Sequence, residues 1–257
     1  MDGFLAEIKK IPPITRTLCF SSLGVTVPVL MNLVSAYKVL YVPRLVWGRL
    51  ELWRLYTSFF LGGGGFNFIF EIAMLYRTSE QLETGPYAGR PADLAWQLFW
   101  AAGALVAAST PMSTYVFTRP FLLCLIYISS RLAPLGAQTS LMGLVTFPVT
   151  YLPFAMLGMD FLMGGPTAAA QSLAGAIVGH MWWWGVWGTV AGASGGVLAG
   201  LGRAPAFLRN LLGQGSVQQG AANAGAAGGV HVIPPRVVQA TASTSGHNWG
   251  AGQRLGS

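Results

Sequence analysis

Twenty-five residues, Ala168 to Gly192, constrain this chain more than any other stretch. They read AAAQSLAGAIVGHMWWWGVWGTVAG and contain no Asp, Glu, Lys or Arg. About 20 apolar residues at ~1.5 Å each cross a hydrocarbon core of ~30 Å, so the stretch is long enough to span a membrane as a helix. Gly175 and Gly179 stand four apart and share one face, and Ala168 and Ser172 extend that small stripe. Small residues let a neighbouring helix approach closely, and in lipid close packing drives helix association. His180 follows, then Trp182, Trp183, Trp184 and Trp187, an aromatic group of the kind that sits near a headgroup layer.

His180 raises the question of acid–base chemistry, because a serine lies downstream in Gly192-Ala193-Ser194-Gly195. Fourteen positions separate His180 from Ser194, roughly 21 Å on one continuous helix, whereas a nucleophile and its base must come within about 3 Å. The GASGG string reads as a flexible helix exit. His180 then either packs and hydrogen-bonds in the interior or faces a hydrated cavity.

The rest of the chain belongs with this segment. Of 257 residues, 53% are hydrophobic and only 9% charged, the profile of an all-α polytopic membrane protein. Asp2, Glu7, Lys9, Lys10 and Arg16 precede the first apolar run without a small-residue cleavage site, so no cleavable leader is expected. Cys19 and Cys124 lie in apolar segments without metal-ligand spacing, so neither a metal, a cofactor nor a disulfide framework is expected. The net charge of +7 is spread over membrane flanks and calls for no nucleic acid.

Residues 1–16 read as an amphipathic N-terminal segment closed by Pro12-Pro13. Six spans are expected within 17–192. Thr17–Tyr37 is the first, and a second follows the Gly62–Gly65 run, where four glycines favour a bend. Leu94–Ala108 and Tyr115–Ile128 come next. Leu141–Leu157 is short and broken by Pro148 and Pro153, and Gly158–Pro166 connects it to the last span. Lys38–Trp53 mixes Arg44, Arg49 and Glu51 with Trp47 and aliphatic residues, as a loop half-sunk in the interface does, with guanidinium heads at phosphate level. Glu71 is costly in lipid and should face the bundle or water with Asn67, yet no partner is evident.

The strings LWRLYTSFF, GFNFIF and LYRTSEQLE, with Trp53-Arg54 and with Gly175-x-x-x-Gly179 before His180, resemble the derlin family of rhomboid-like pseudoproteases. The resemblance covers about residues 10–192. Trp53 and Arg54 match the family's WR motif in the first loop, and Gly175 and Gly179 its GxxxG motif. Glu71 departs from the pattern, which has an uncharged residue there. Rhomboid proteases carry a serine motif at the head of the fourth helix, but Phe117-Thr118-Arg119-Pro120-Phe121 has no GxSG, so no catalytic residue is expected. The resemblance implies a six-helix rhomboid-like bundle of the endoplasmic reticulum membrane. It further implies a lateral gate between helices 2 and 5 and retrotranslocation of misfolded proteins beside a membrane ubiquitin ligase, as one copy or a homo-oligomer.

With both termini cytosolic, ten of the fifteen Lys and Arg fall on the cytosolic side, which agrees with the positive-inside rule. Residues 193–245 turn to Gly, Ala, Gln and Ser and read as a disordered cytosolic linker. Residues 246–257 depart from that character. Trp249, Gly250, Gly252, Gln253, Arg254 and Leu255 resemble an SHP box, which implies docking of the AAA ATPase valosin-containing protein. Two other functions stay open: an active rhomboid-type serine protease, which needs a serine beside His180, and a small-solute transporter, which needs paired intramembrane charges.

Overall fold

A computed structural model describes residues 8, 10–112, 114–134, 136–141, 145–188 and 195–212, all within the unit Met1–Gly215. Helix α1 (Pro13–Leu30) starts where Pro13 presets the helical dihedral at a position that needs no N–H. Its free first-turn donors go to a distant carboxylate. Ile14 N and Thr15 N donate to Glu83 at 2.9 and 2.8 Å, and the Thr15 hydroxyl donates to it at 2.9 Å. Negative charge at a helix N-terminus is favourable, which suits the buried Glu83 carboxylate to this place. The helix stops at Leu30, two residues past Pro28, and not at Tyr37.

The first loop holds α2 (Pro43–Arg49) and α3 (Trp53–Thr57). Helix α4 (Phe66–Thr84) runs back beside α1: the Thr26 hydroxyl donates to Phe60 O, just before α4, and Glu83 near its end caps the start of α1. Then follow α5 (Pro91–Ser109) and α6 (Thr118–Leu132). Helix α6 is the axis of the core. Pro120 to Ile126 are all buried, and Phe117 and Phe121 pack edge and face against Tyr41, Phe59 and Phe60.

Two corrections concern the next segment. The chain is not all-α, because β1 (Gln138–Leu141) and β2 (Val145–Pro148) pair antiparallel, with Gln138 opposite Pro148 and Leu141 opposite Val145. Thr139, Val145, Thr146 and Phe147 favour extended backbone, and Pro148, which lacks a ladder donor, closes the strand. The expected fifth span therefore begins at Leu152 and not at Leu141. Gly158–Pro166 is not a loop either: α7 runs from Leu152 to Trp182 with one break at Gly165, whose φ of 73° only glycine adopts readily. The break is a reversal. Ser172 Oγ lies 2.5 Å from Asp160 Oδ2, whereas twelve residues of straight helix would separate them by about 18 Å. The first arm (152–164) and second arm (166–182) thus fold against each other.

A π-helical turn, Trp183–Trp187, ends the second arm. Beyond it the chain is not featureless, contrary to a linker from residue 193. Leu198 N donates to Gly185 O, the Trp96 indole to Leu201 O at 3.0 Å, and Gln97 to Gly202 O at 2.8 Å. A short helix, α8 (Ala206–Leu211), follows. Pro13–Leu30 and Val149–Trp187 are each long and apolar enough to cross a membrane.

Candidate functional site

Trp53 and Arg54 open α3 and point opposite ways. Arg54 is 6% exposed and Trp53 57%. Arg54 Nε pairs with the Glu51 carboxylate, Nη1 donates to Tyr37 O at 2.5 Å and Leu40 O at 3.3 Å, and the guanidinium lies 5.5 Å from the Tyr37 ring centroid. Its fork satisfies three segments of the loop at once, which a point charge cannot do. A paired guanidinium with carbonyl acceptors is stable inside the loop. Trp47, Leu50, Leu52, Trp53 and Tyr56 stay exposed as an apolar patch. Ser58 and Leu61 fix this loop to the head of α6: Phe117 N donates to Ser58 O at 2.8 Å and the Thr118 hydroxyl to Leu61 O at 2.7 Å.

That junction carries a charged trio. Arg119 Nε donates to Glu71 at 3.1 Å on α4, and Arg119 Nη1 pairs with Asp160 on the first arm of α7. Glu71 also accepts Gly63 N at 2.9 Å. Both carboxylates are buried. With Asn67 and Met156 they line a cavity of about 20 Å³, room for about one water. Sequence reasoning left Glu71 without a partner and placed Asp160 in a loop. The available signal was three lone charges in apolar runs, which must pair to stay in lipid.

Gly175 and Gly179 abut α6. A Cβ at Gly175 would collide with the Pro120 carbonyl, and one at Gly179 would stand 3.0 Å from Cys124 O and Tyr127 Cβ. The paired numbers rise together, so α6 and the second arm run parallel. His180 continues the series: its Nδ1 is 2.7 Å from the Tyr127 hydroxyl. His180 is exposed and not packed in the interior, and it does not line the cavity of Asn67 and Glu71. It sits on a flank of the second arm that is open among the described residues. The serines nearby are occupied: Ser129 and Ser130 donate to Ile126 O and Tyr127 O, and Ser172 bonds Asp160. Ser194 lies outside the described residues, as do Trp249, Gly250, Gly252, Gln253, Arg254 and Leu255.

Two of the four clustered indoles also differ from the interfacial reading. Trp182 donates to Gln97 Oε1 at 2.7 Å and Trp187 to the Tyr87 hydroxyl at 3.2 Å, both buried. Tyr87 donates in turn to Gln97 at 2.5 Å, and burial pushes its phenol well above the usual range. Indole N–H groups that find buried acceptors are drawn inward. Trp184 alone of the four is exposed. Below this network, Gln81, Arg90, Ser129, Pro134 and Gln138 border a half-polar cavity of about 540 Å³ at the ends of α4 and α6.

A family model described as the Der1-like family matches residues 11–188. Among curated relatives, Derlin-1 of Arabidopsis thaliana is 38% identical over 182 residues, covering 67% of this chain and 65% of that protein. The aligned part thus spans slightly under two thirds of that relative's length. Derlin-1.2 of Zea mays is 35% identical, covering 68% and 72%. Derlin-1 of Homo sapiens is 27% identical over 256 residues, covering 96% of each chain.

Proposed function

This chain belongs to the Der1-like family, and from that premise we propose that it is a non-catalytic retrotranslocation factor of endoplasmic-reticulum-associated degradation. In this reading α1, α4, α5, α6 and the two arms of α7 form a six-helix rhomboid-like bundle with both termini in the cytosol. A lateral gate lies between α4 and the first arm of α7. The exposed patch around Trp53 sinks into the facing leaflet and thins it, while Arg54 keeps the patch in shape. A charged side chain at the centre of intact hydrocarbon costs about 3 kcal/mol or more, and a shallower, wetter path lowers that barrier. The tail hands misfolded substrates to the AAA ATPase valosin-containing protein through Trp249 to Leu255, beside a membrane ubiquitin ligase.

The observation that carries this reading is the charged trio between α4 and the first arm of α7. Glu71, Arg119 and Asp160 keep three charges at the edge where the gate is proposed, in surroundings of Phe, Leu and Met with the single amide of Asn67. Such a group is stable only where water or partners reach it. His180 supports the non-catalytic half of the reading, since the partner of its Nδ1 is the Tyr127 phenol and not a serine. The test is a chase of a misfolded membrane substrate in cells complemented with this chain or with its Trp53→Ala variant. Restored decay with the first and stalled decay with the second is expected; equal decay sinks the loop's role. Labelling of the purified protein by a fluorophosphonate would point to a serine protease instead.

A further inference from the structure

The outer flank of α6 and the second arm of α7 carries a polar cluster that the proposed function does not use. Arg131 Nε donates to the Tyr127 hydroxyl at 3.2 Å, and that hydroxyl lies 2.7 Å from His180 Nδ1. Its oxygen accepts from Arg131 and also bonds the imidazole, so one phenol ties both side chains together. The Arg131 guanidinium also lies 4.8 Å from the Trp183 ring centroid and 5.5 Å from that of Tyr127, which fixes it by cation–π attraction. No carboxylate pairs with Arg131 among the described residues. The cluster therefore presents the remaining Arg131 N–H groups outward beside the exposed His180 ring.

The surface beside these donors is apolar. Leu173, Ile177 and His180 stand at i, i+4 and i+7, one row along the second arm, and all three are exposed. Met181 and Trp184 widen the row. A surface with a guanidinium at a helix end and a bare aliphatic row leading away from it matches an amphiphile, not a soluble anion or an acidic protein segment. We propose that this flank binds an anionic phospholipid, its phosphate on Arg131 and His180 and an acyl chain along Leu173 and Ile177. The proposal rests on the membrane-embedded bundle of the reading above, but not on retrotranslocation.

The test is native mass spectrometry of the full chain in detergent with equimolar phosphatidylserine and phosphatidylcholine. Preferential retention of phosphatidylserine is expected. Arg131→Gln should cut that preference about fivefold, the size set by one basic side chain near an anionic surface. Tyr127→Phe, which frees both side chains from their shared anchor, should cut it less. Arg209→Gln on α8 should leave it unchanged. Equal retention of the two lipids, an unchanged preference in Arg131→Gln, or an equal loss in Arg209→Gln overturns the site, as does displacement of the lipid by inorganic phosphate. If Arg131→Gln does not elute as a single species, exposed Ile177→Glu gives the second reading and should also lower the preference. The assay contains no degradation step, so its failure leaves the proposed function standing, and stalled degradation leaves this site standing.

Discussion

Arg119 and Asp160 are bonded across forty-one residues of chain, and the same guanidinium holds Glu71 on a third helix. One cation thus serves two buried carboxylates. Removing it leaves like charges buried together, the costly case for an ion pair. Arg119→Ala should lower stability by about 3 kcal/mol, whereas Asp160→Asn, which keeps an acceptor for Arg119 and removes a negative charge, should cost about 1 kcal/mol. Thermal unfolding of the purified variants in detergent measures both. An Arg119→Ala protein that melts with the unmodified chain would show that the trio does not hold these helices.

The two glycines facing α6 differ in tolerance. At Gly175 the obstacle is backbone, the Pro120 carbonyl, which cannot turn away. At Gly179 the new carbon meets Cys124 O and the Tyr127 side chain at 3.0 Å, so a shift of a few tenths of an ångström on α6 makes room. Gly175→Ala should therefore cost about 3 kcal/mol and Gly179→Ala about 1 kcal/mol, the range for overpacking a close-packed contact. Equal melting temperatures for the two variants would contradict the geometry.

Adjacent residues in the first loop should separate stability from function. Arg54 is buried and bonded to three loop segments, so Arg54→Lys, which keeps the charge without the fork, should still lose about 2 kcal/mol. Trp53 projects outward, so Trp53→Ala should change stability by less than about 0.5 kcal/mol. Substrate decay should nevertheless stall in both. A Trp53→Ala protein that is unstable would mean that the indole supports the fold.

The sequence placed some of this well, for a local reason. Spacing of four puts Gly175 and Gly179 on one face whatever the fold, and long apolar runs disclose α1 and the second arm. What it hid depends on distance or on sidedness. Trp53 and Arg54 are neighbours, and no local pattern says that one faces in and the other out. Trp182 and Trp187 turn inward because Gln97 and Tyr87, 85 and 100 residues away, offer acceptors. Asp160 was read as part of a loop because Gly158, Gly164, Gly165 and Pro166 look like a connection, whereas Gly165 alone makes the reversal. The hairpin escaped because a short apolar run with two prolines fits a broken span as well as two strands.

Tyr87 supplies a pH signature outside the spans. Its phenol is raised by burial, and it lies in the turn between α4 and α5, bonded to Gln97 and Trp187. In the unfolded chain the phenol ionises near pH ~10. Above that pH the unfolded state releases a proton that the folded state keeps, so stability falls as pH rises, and the full contribution of the neutral group is present only below ~10. Tyr87→Phe keeps the ring packed on Trp187 but loses the hydroxyl network, so at pH ~8 it should be about 1 kcal/mol less stable. Between pH ~8 and ~11 the difference between the two proteins should shrink, because only the tyrosine form carries the titration. Denaturation midpoints across that range measure it; a constant difference would mean that the phenol ionises alike in both states and is not sealed in the core.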